Sequence, residues 1–252
     1  MLLTILIFTL IGSVASLIGG LILLISQKRT LKISHLLISF AAGTLLGTAF
    51  FDLMPEALEE ANGTNIFLWV ISGILVFFIL ERFLQWFHHH NDDDHKGLEK
   101  AKRKQILSLI IIGDSIHNLL DGVVIAASFL VSVPLGIVTA FAVAAHEIPQ
   151  EIGDFAIFLH NGVSRKKTII INLLSAVVSI FGAVVTFYIR DSIQGLLPIL
   201  LSITAGFFIY IASSDLIPEI HQHEGKKGLA FIETFLLILG AFLVYFLVGL
   251  LE

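Results

Sequence analysis

Cysteine is absent from the chain, which excludes disulfides, a redox-active thiol pair and thiolate metal ligands. Charge is scarce as well. Asp, Glu, Lys and Arg make up 14% of the residues, against about 25% in an ordinary soluble domain, whereas hydrophobic residues make up 56%. That deficit excludes a soluble globular protein and places the chain in a bilayer. The apolar runs are apolar on all sides, so they read as helices in lipid rather than as the alternating strands of a barrel. The first run, Leu2 to Ser26, is too long for the core of a signal peptide and lacks a basic start or a small-residue cleavage site, so it reads as a span.

A membrane helix needs about 20 mostly apolar residues. Such runs fall at 2–26, 33–54, 66–87, 105–131, 135–160, 168–189, 196–218 and 229–250, predicting an all-α polytopic membrane protein with eight transmembrane helices in a single domain over 1–252. The basic residues set the direction. Lys28, Arg29 and Lys32 follow the first run. Arg82 precedes the link at 88–104, and Lys96, Lys100, Lys102, Arg103 and Lys104 lie within it. Arg165 to Lys167 follow the fifth run, and Lys226 and Lys227 the seventh. All fall on one face, and only Arg190 falls on the other, so both termini are expected outside and the 88–104 link in the cytoplasm.

Two phrases repeat. "AGTLLGTAFFDLMPEA" from Ala42 is matched by "AGFFIYIASSDLIPEI" from Ala205, pairing Asp52 with Asp215, Pro55 with Pro218 and Glu56 with Glu219 at a constant offset of 163. The same offset pairs Val14 with Val177, Ser16 with Ser179 and Gly19 with Gly182. For the third and eighth spans it gives only a weak match. Five steps separate the second and seventh spans, so the repeat is inverted: three spans, an inserted pair, three spans. Inverted repeats belong to transporters, with the substrate site near the midplane.

The inserted pair carries "HNLLDG" at His117–Gly122 and "HEIPQE" at His146–Glu151. The link between the two helices is only "SVP", so they form a tight antiparallel hairpin whose polar groups meet at one depth. His117 and Asp121 share a helix face, as do His146 and Gln150, and Glu147 and Glu151. Each carboxylate at mid-bilayer costs ~2.5–3.5 kcal/mol, so Asp121, Glu147 and Glu151 left bare would cost ~10 kcal/mol. With no basic residue in these spans, a divalent metal is the best partner, because imidazole nitrogen and carboxylate oxygen are its usual ligands.

These motifs resemble those of the ZIP (Zrt/Irt-like) metal transporters, whose fourth span reads HNxxDG and whose fifth reads HExPHExGD in one large subgroup. "FFDLMPEA", "SSDLIPEI", the span count and a His-rich link after the third span extend the resemblance along the whole chain. It implies a 3+2+3 arrangement, a binuclear metal site and import of divalent ions: zinc first, with iron, manganese or cadmium as alternatives. It also implies that His117, His146, Glu147 and Gln150 hold one ion, and that Asn118, Asp121 and Glu147 hold the other, with Asn172 from the sixth span. Gln150 departs from the subgroup, where histidine is usual; its neutral oxygen is a poorer zinc ligand and favours release.

Further residues have expected secondary roles. Glu151, Asp114 and Asp154 are candidate ligands or relays. Asp52 and Glu56 fall at the outer mouth, and Asp215 and Glu219 at the inner one. His88, His89, His90 and His95, in "HHHNDDDH", are expected to collect ions on the cytoplasmic link. The expected partners are metal ions and the lipid of a plasma membrane, bacterial inner membrane by preference, with no nucleic acid; a homodimer is left open. An enzyme is not expected. "HEIPQ" begins like the zinc-protease motif H-E-x-x-H, but Gln150 replaces its second histidine. The H-x-x-x-D spacing of cation diffusion facilitators is present too, without the cytoplasmic C-terminal domain typical of them.

Overall fold

The computed structural model describes residues 1–14, 16–25, 27–61, 63–89, 96–221 and 227–251. Among the described residues the chain is helical, with no strand. Its helical segments are α1 (Leu2–Ile25), α2 (27–59), α3 (Ile66–His89), α4 (Lys96–Val131), α5 (Val133–His160), α6 (Arg165–Tyr188), α7 (Arg190–His221) and α8 (Lys227–Leu251). Six of them (α1, α2, α4, α6, α7 and α8) are long and apolar enough to cross a membrane, by length and composition alone. The eight expected spans are thus met in part. In α5 the apolar run is interrupted by Glu147, Glu151 and Asp154, and the side chains of α3 are described only to Arg82. The outward surface is hydrophobic, with Phe181, Phe231, Phe246 and Leu250 all more than 60% exposed, as lipid-facing positions should be.

Several boundaries differ from those read off hydropathy. Helix α4 starts at Lys96 rather than 105. The segment "KGLEKAKRK" is polar but rich in strong helix formers, so it extends the helix beyond its apolar part. His90 and His95 lie outside the described residues, as do the side chains of His88 and His89.

Helices α2 and α7 each widen by one residue per turn, at Ala49–Leu53 and Ile211–Leu216. The N–H of Met54 reaches the Ala49 carbonyl, and the N–H of Ile217 reaches that of Ala212. The cause lies one residue on: Pro55 and Pro218 have no N–H, and their rings crowd the carbonyl four residues back. A local π turn relieves the crowding. Both turns sit 163 residues apart and each contains the aspartate of a D-x-x-P-E phrase.

Close backbone approach ties the long helices in pairs. Helix α2 packs on α8, α7 on α3, α4 on α6, and α1 on α5. At Gly43 the α2 backbone meets the carbonyl of Leu237, and at Gly206 α7 meets that of Val70. In return Gly240 abuts the Phe40 carbonyl and Gly73 that of Ile203. On α2 and α7 these partners are 163 apart, whereas on α3 and α8 they are 167 apart (70 to 237, 73 to 240). The four-residue change explains why α3 and α8 match poorly at the first offset.

Helices α4 and α5 turn around Ser132, whose Oγ accepts the N–H of Leu135 at 3.2 Å and caps α5, with Pro134 in the first turn. The Oγ of Ser128 and the Oγ1 of Thr139, 3.0 Å apart, bind the two arms further in. The hairpin therefore has a fixed register, which sets which side chains face each other below it.

Candidate metal centre

Four of the sequence-predicted ligands converge. His117 and Asp121, one turn apart on α4, face His146 and Glu147 on α5, and one ligand atom from each lies within 4.8 Å of all the others. The His117 and His146 Nε2 atoms are 3.1 Å apart. Glu147 Oε1 lies 3.4 Å from His117 Nε2 and 3.9 Å from His146 Nε2, and Asp121 Oδ2 lies 3.7 and 3.6 Å from the same two nitrogens. Zinc bonds of 2.0–2.1 Å at tetrahedral angles put ligands about 3.3–3.4 Å apart. The observed separations bracket that spacing, so a divalent ion fits with small adjustments.

The local chemistry favours a cation over an ordinary polar network. Nδ1 of His146 lies 3.0 Å from the Ala142 carbonyl, which can only accept, so Nδ1 carries the proton and Nε2 turns its lone pair toward the cluster. Side chains of Asp121, His146 and Glu147 are at most 5% exposed. Asp121 Oδ2 and both Glu147 oxygens are buried with no hydrogen-bond partner. Buried carboxylates left so are costly unless a cation or proton joins them. The rings of Phe77 and Phe208 stand edge-on to His117 and His146 at centroid distances of 6.0 and 6.1 Å, fixing the imidazoles from the apolar side.

The remaining expected ligands surround this core. Asn118 is fully buried; its amide donates to the backbone carbonyl and Oδ1 of Asp114, at 3.1 and 3.0 Å, leaving its own Oδ1 unpartnered. Asn172 on α6 is also fully buried, donates to the Thr168 carbonyl at 2.9 Å and likewise leaves Oδ1 unpartnered. Glu151 is 1% exposed with both oxygens unpartnered, and it shares an electrostatic neighbourhood with Glu147, Asp114 and Asp154. Gln150 does not pack into the core; with His117 and His146 it lines a cavity of about 330 Å³.

That cavity leads from the two histidines to Glu81 on α3 and to Asp215 on α7. The Tyr210 hydroxyl donates to Glu81 Oε2 at 2.6 Å, so α7 orients a carboxylate carried by α3. Sequence reading missed Glu81 and Tyr210, though not Asp215. Glu81 stands next to Arg82 at the end of an apolar run and passes for an interfacial charge. Its signal is the spacing: Glu81 lies one helical turn beyond Phe77, the residue against His117. The D-x-x-P-E residues do not join the cluster. Asp52 is buried at 6% exposure whereas Asp215 is exposed, and Glu56 and Glu219 are half-buried.

Gly122, the last residue of "HNLLDG", is placed by packing. The Ser179 carbonyl of α6 lies so close that any Cβ would overlap it. Gly122→Val is therefore expected to push α4 from α6 and displace the adjacent Asp121, lowering the melting temperature and weakening zinc binding together. Thermal melting and zinc titration of the purified variant check this; unchanged values for both would contradict the packing.

Comparison with known sequences decides the family. The description "ZIP Zinc transporter" belongs to a family model that matches residues 2–106 and 88–248, almost the whole chain. The chain belongs to the ZIP family. It is a family of transporters rather than enzymes, and with six helices among the described residues long and apolar enough to cross a membrane the chain is an integral membrane protein. Among its relatives, a Zinc transporter ZIP13 homolog from Drosophila melanogaster is 27% identical over 88% of this chain and 83% of its own length. Zinc transporter ZIP13 of Pongo abelii is 32% identical over 75% of the chain and 59% of its own length. Zinc transporter ZIP10 of Homo sapiens is 34% identical over 57% of the chain and 18% of its own length. The chain thus spans less than two thirds of the length of the latter two.

Proposed function

We propose that this ZIP-family chain carries divalent transition-metal ions, zinc foremost, into the cytoplasm through a site between α4 and α5 near the membrane midplane. The observation that carries the reading is the convergence of His117, Asp121, His146 and Glu147 at ligand spacing within an apolar helix bundle. All eight helical segments cross the bilayer in this reading, as two inverted three-helix repeats around the α4–α5 pair. Support comes from the paired packing: exchanging α1 with α6, α2 with α7, α3 with α8 and α4 with α5 turns each principal helix contact into another. The matched π turns add to it. So do two hydroxyl bonds, from Ser16 to the Ser13 carbonyl and from Ser179 to that of Ala176, again 163 apart.

The conformation is read as open to the cytoplasm. The 330 Å³ cavity joins the cluster to Asp215 and Glu81, on helix ends that precede the basic links, while Asp52 at the repeat-related position is buried. A second ion is proposed beside the first, held by Asn118, Asp121, Glu147 and Asn172; the unpartnered oxygens of Asn118, Glu147 and Asn172 support it. Glu151, Asp114 and Asp154 relay ions or protons from there. The inward direction is the one the family resemblance implies, and the basic links support an orientation with both termini outside.

Liposomes containing the purified chain and an internal zinc-sensitive dye test the function. External zinc should produce a protein-dependent signal that saturates; a signal no larger than that of empty liposomes would overturn the proposal.

A further inference from the structure

After its first residue, Lys227, helix α8 carries one charged side chain, Glu233, in its second turn. A carboxylate there belongs in water, in an ion pair or against a donor. For one of its oxygens Glu233 has none of these among the described residues. It is 3% exposed, it takes part in no ion pair among the described residues, and its Oε1 is buried with no hydrogen-bond partner. It lines a cavity of about 300 Å³ between the end of α7 and the start of α8, together with Ile217, Ile220, Thr234 and Leu237. Among the described residues the other ionisable group on that cavity is His221, exposed at the C-terminal end of α7. Among the described residues the cavity shares no lining residue with the one that reaches His117.

We infer that Glu233 and His221 form a second, separate divalent-cation site, with water completing the coordination. The argument is one of chemistry. A buried, unpartnered carboxylate oxygen asks for a cation or a proton. A proton would satisfy the carboxyl group but would leave the imidazole on the same cavity without a role. A transition-metal ion instead takes the carboxylate oxygen and the imidazole nitrogen that the same cavity presents, a mixed donor set suited to zinc, iron or cobalt rather than to sodium or calcium. The dipole of α7 contributes too: its C-terminal turn, which carries His221, favours positive charge nearby. Two protein ligands make a weak site that exchanges its ion readily, unlike the four-ligand cluster.

Zinc bound per chain, measured by equilibrium dialysis on the full-length protein in lipid nanodiscs, tests the site. Glu233→Gln, close in shape, and His221→Gln, at an exposed position, should each remove one equivalent of weakly held zinc. Glu147→Gln should remove zinc from the central cluster instead, so that its combination with Glu233→Gln loses both. Stoichiometry unchanged in Glu233→Gln and His221→Gln, with wild-type behaviour on size exclusion, overturns the inference. Because the two sets of variants act on different cavities, failure here is distinguishable from failure of the central cluster: Glu147→Gln without effect would count against the latter only.

Discussion

Replacing Glu147 with alanine is expected to lower zinc uptake by about two orders of magnitude or more, with normal membrane insertion and yield. Glu147 offers an oxygen 3.4 Å from one histidine and 3.9 Å from the other, and its second oxygen is also buried without a partner. Loss of an outer hydrogen-bond partner alone costs a metal site 10–100-fold in affinity, so loss of a ligand charge should cost no less. The variant also relieves an uncompensated buried acid, so its thermal stability in the absence of metal should hold or rise. That split separates a ligand from a structural residue. His117→Ala should share the loss of uptake. Transport at wild-type rates in both variants, measured in the dye-loaded liposomes, would remove these residues from the path.

The second large effect is expected at Gln150. It sits on the cavity that starts at His117 and His146, one turn after His146 on the same face of α5. Imidazole is a stronger zinc ligand than an amide oxygen. Gln150→His should therefore tighten zinc binding roughly tenfold, equivalent to about 1.4 kcal/mol, and shift competition toward zinc over iron. Turnover should fall at the same time, since conduction requires a site weak enough to release its ion. Competition uptake with zinc and iron together checks both parts. An unchanged preference would show that residue 150 does not touch the ion.

The central hairpin was legible in the sequence because polar residues in the middle of apolar runs have few physical explanations. His117, Asp121, His146 and Glu147 were expected to meet, and they do, within 4.8 Å. The short turn at Ser132 made that expectation quantitative, since it fixes how far along each arm a given depth lies. What hydropathy could not convey was backbone shape. Nothing in the composition of "AFFDL" or "IASSDL" marks a π turn; only the proline that follows each hints at one. The third helix of the repeat was hidden for a different reason, a four-residue shift in offset that interrupts a fixed-period comparison. Glu81 and Glu233 were overlooked because an acid near a predicted helix end is ordinarily solvated. Their burial and partners depend on which helix packs alongside, which a single chain's pattern does not encode. The polar start of α4 went the same way: propensity governed it, and hydropathy stopped at the last apolar residue.

The most direct measurement is an anomalous difference map from zinc-soaked crystals of the full-length protein, collected at the zinc edge. A peak is expected about 2.0–2.2 Å from Nε2 of His117 and His146 and from carboxylate oxygens of Asp121 and Glu147. Zinc found only elsewhere, with these four side chains unligated in a protein that still transports the ion, would contradict it.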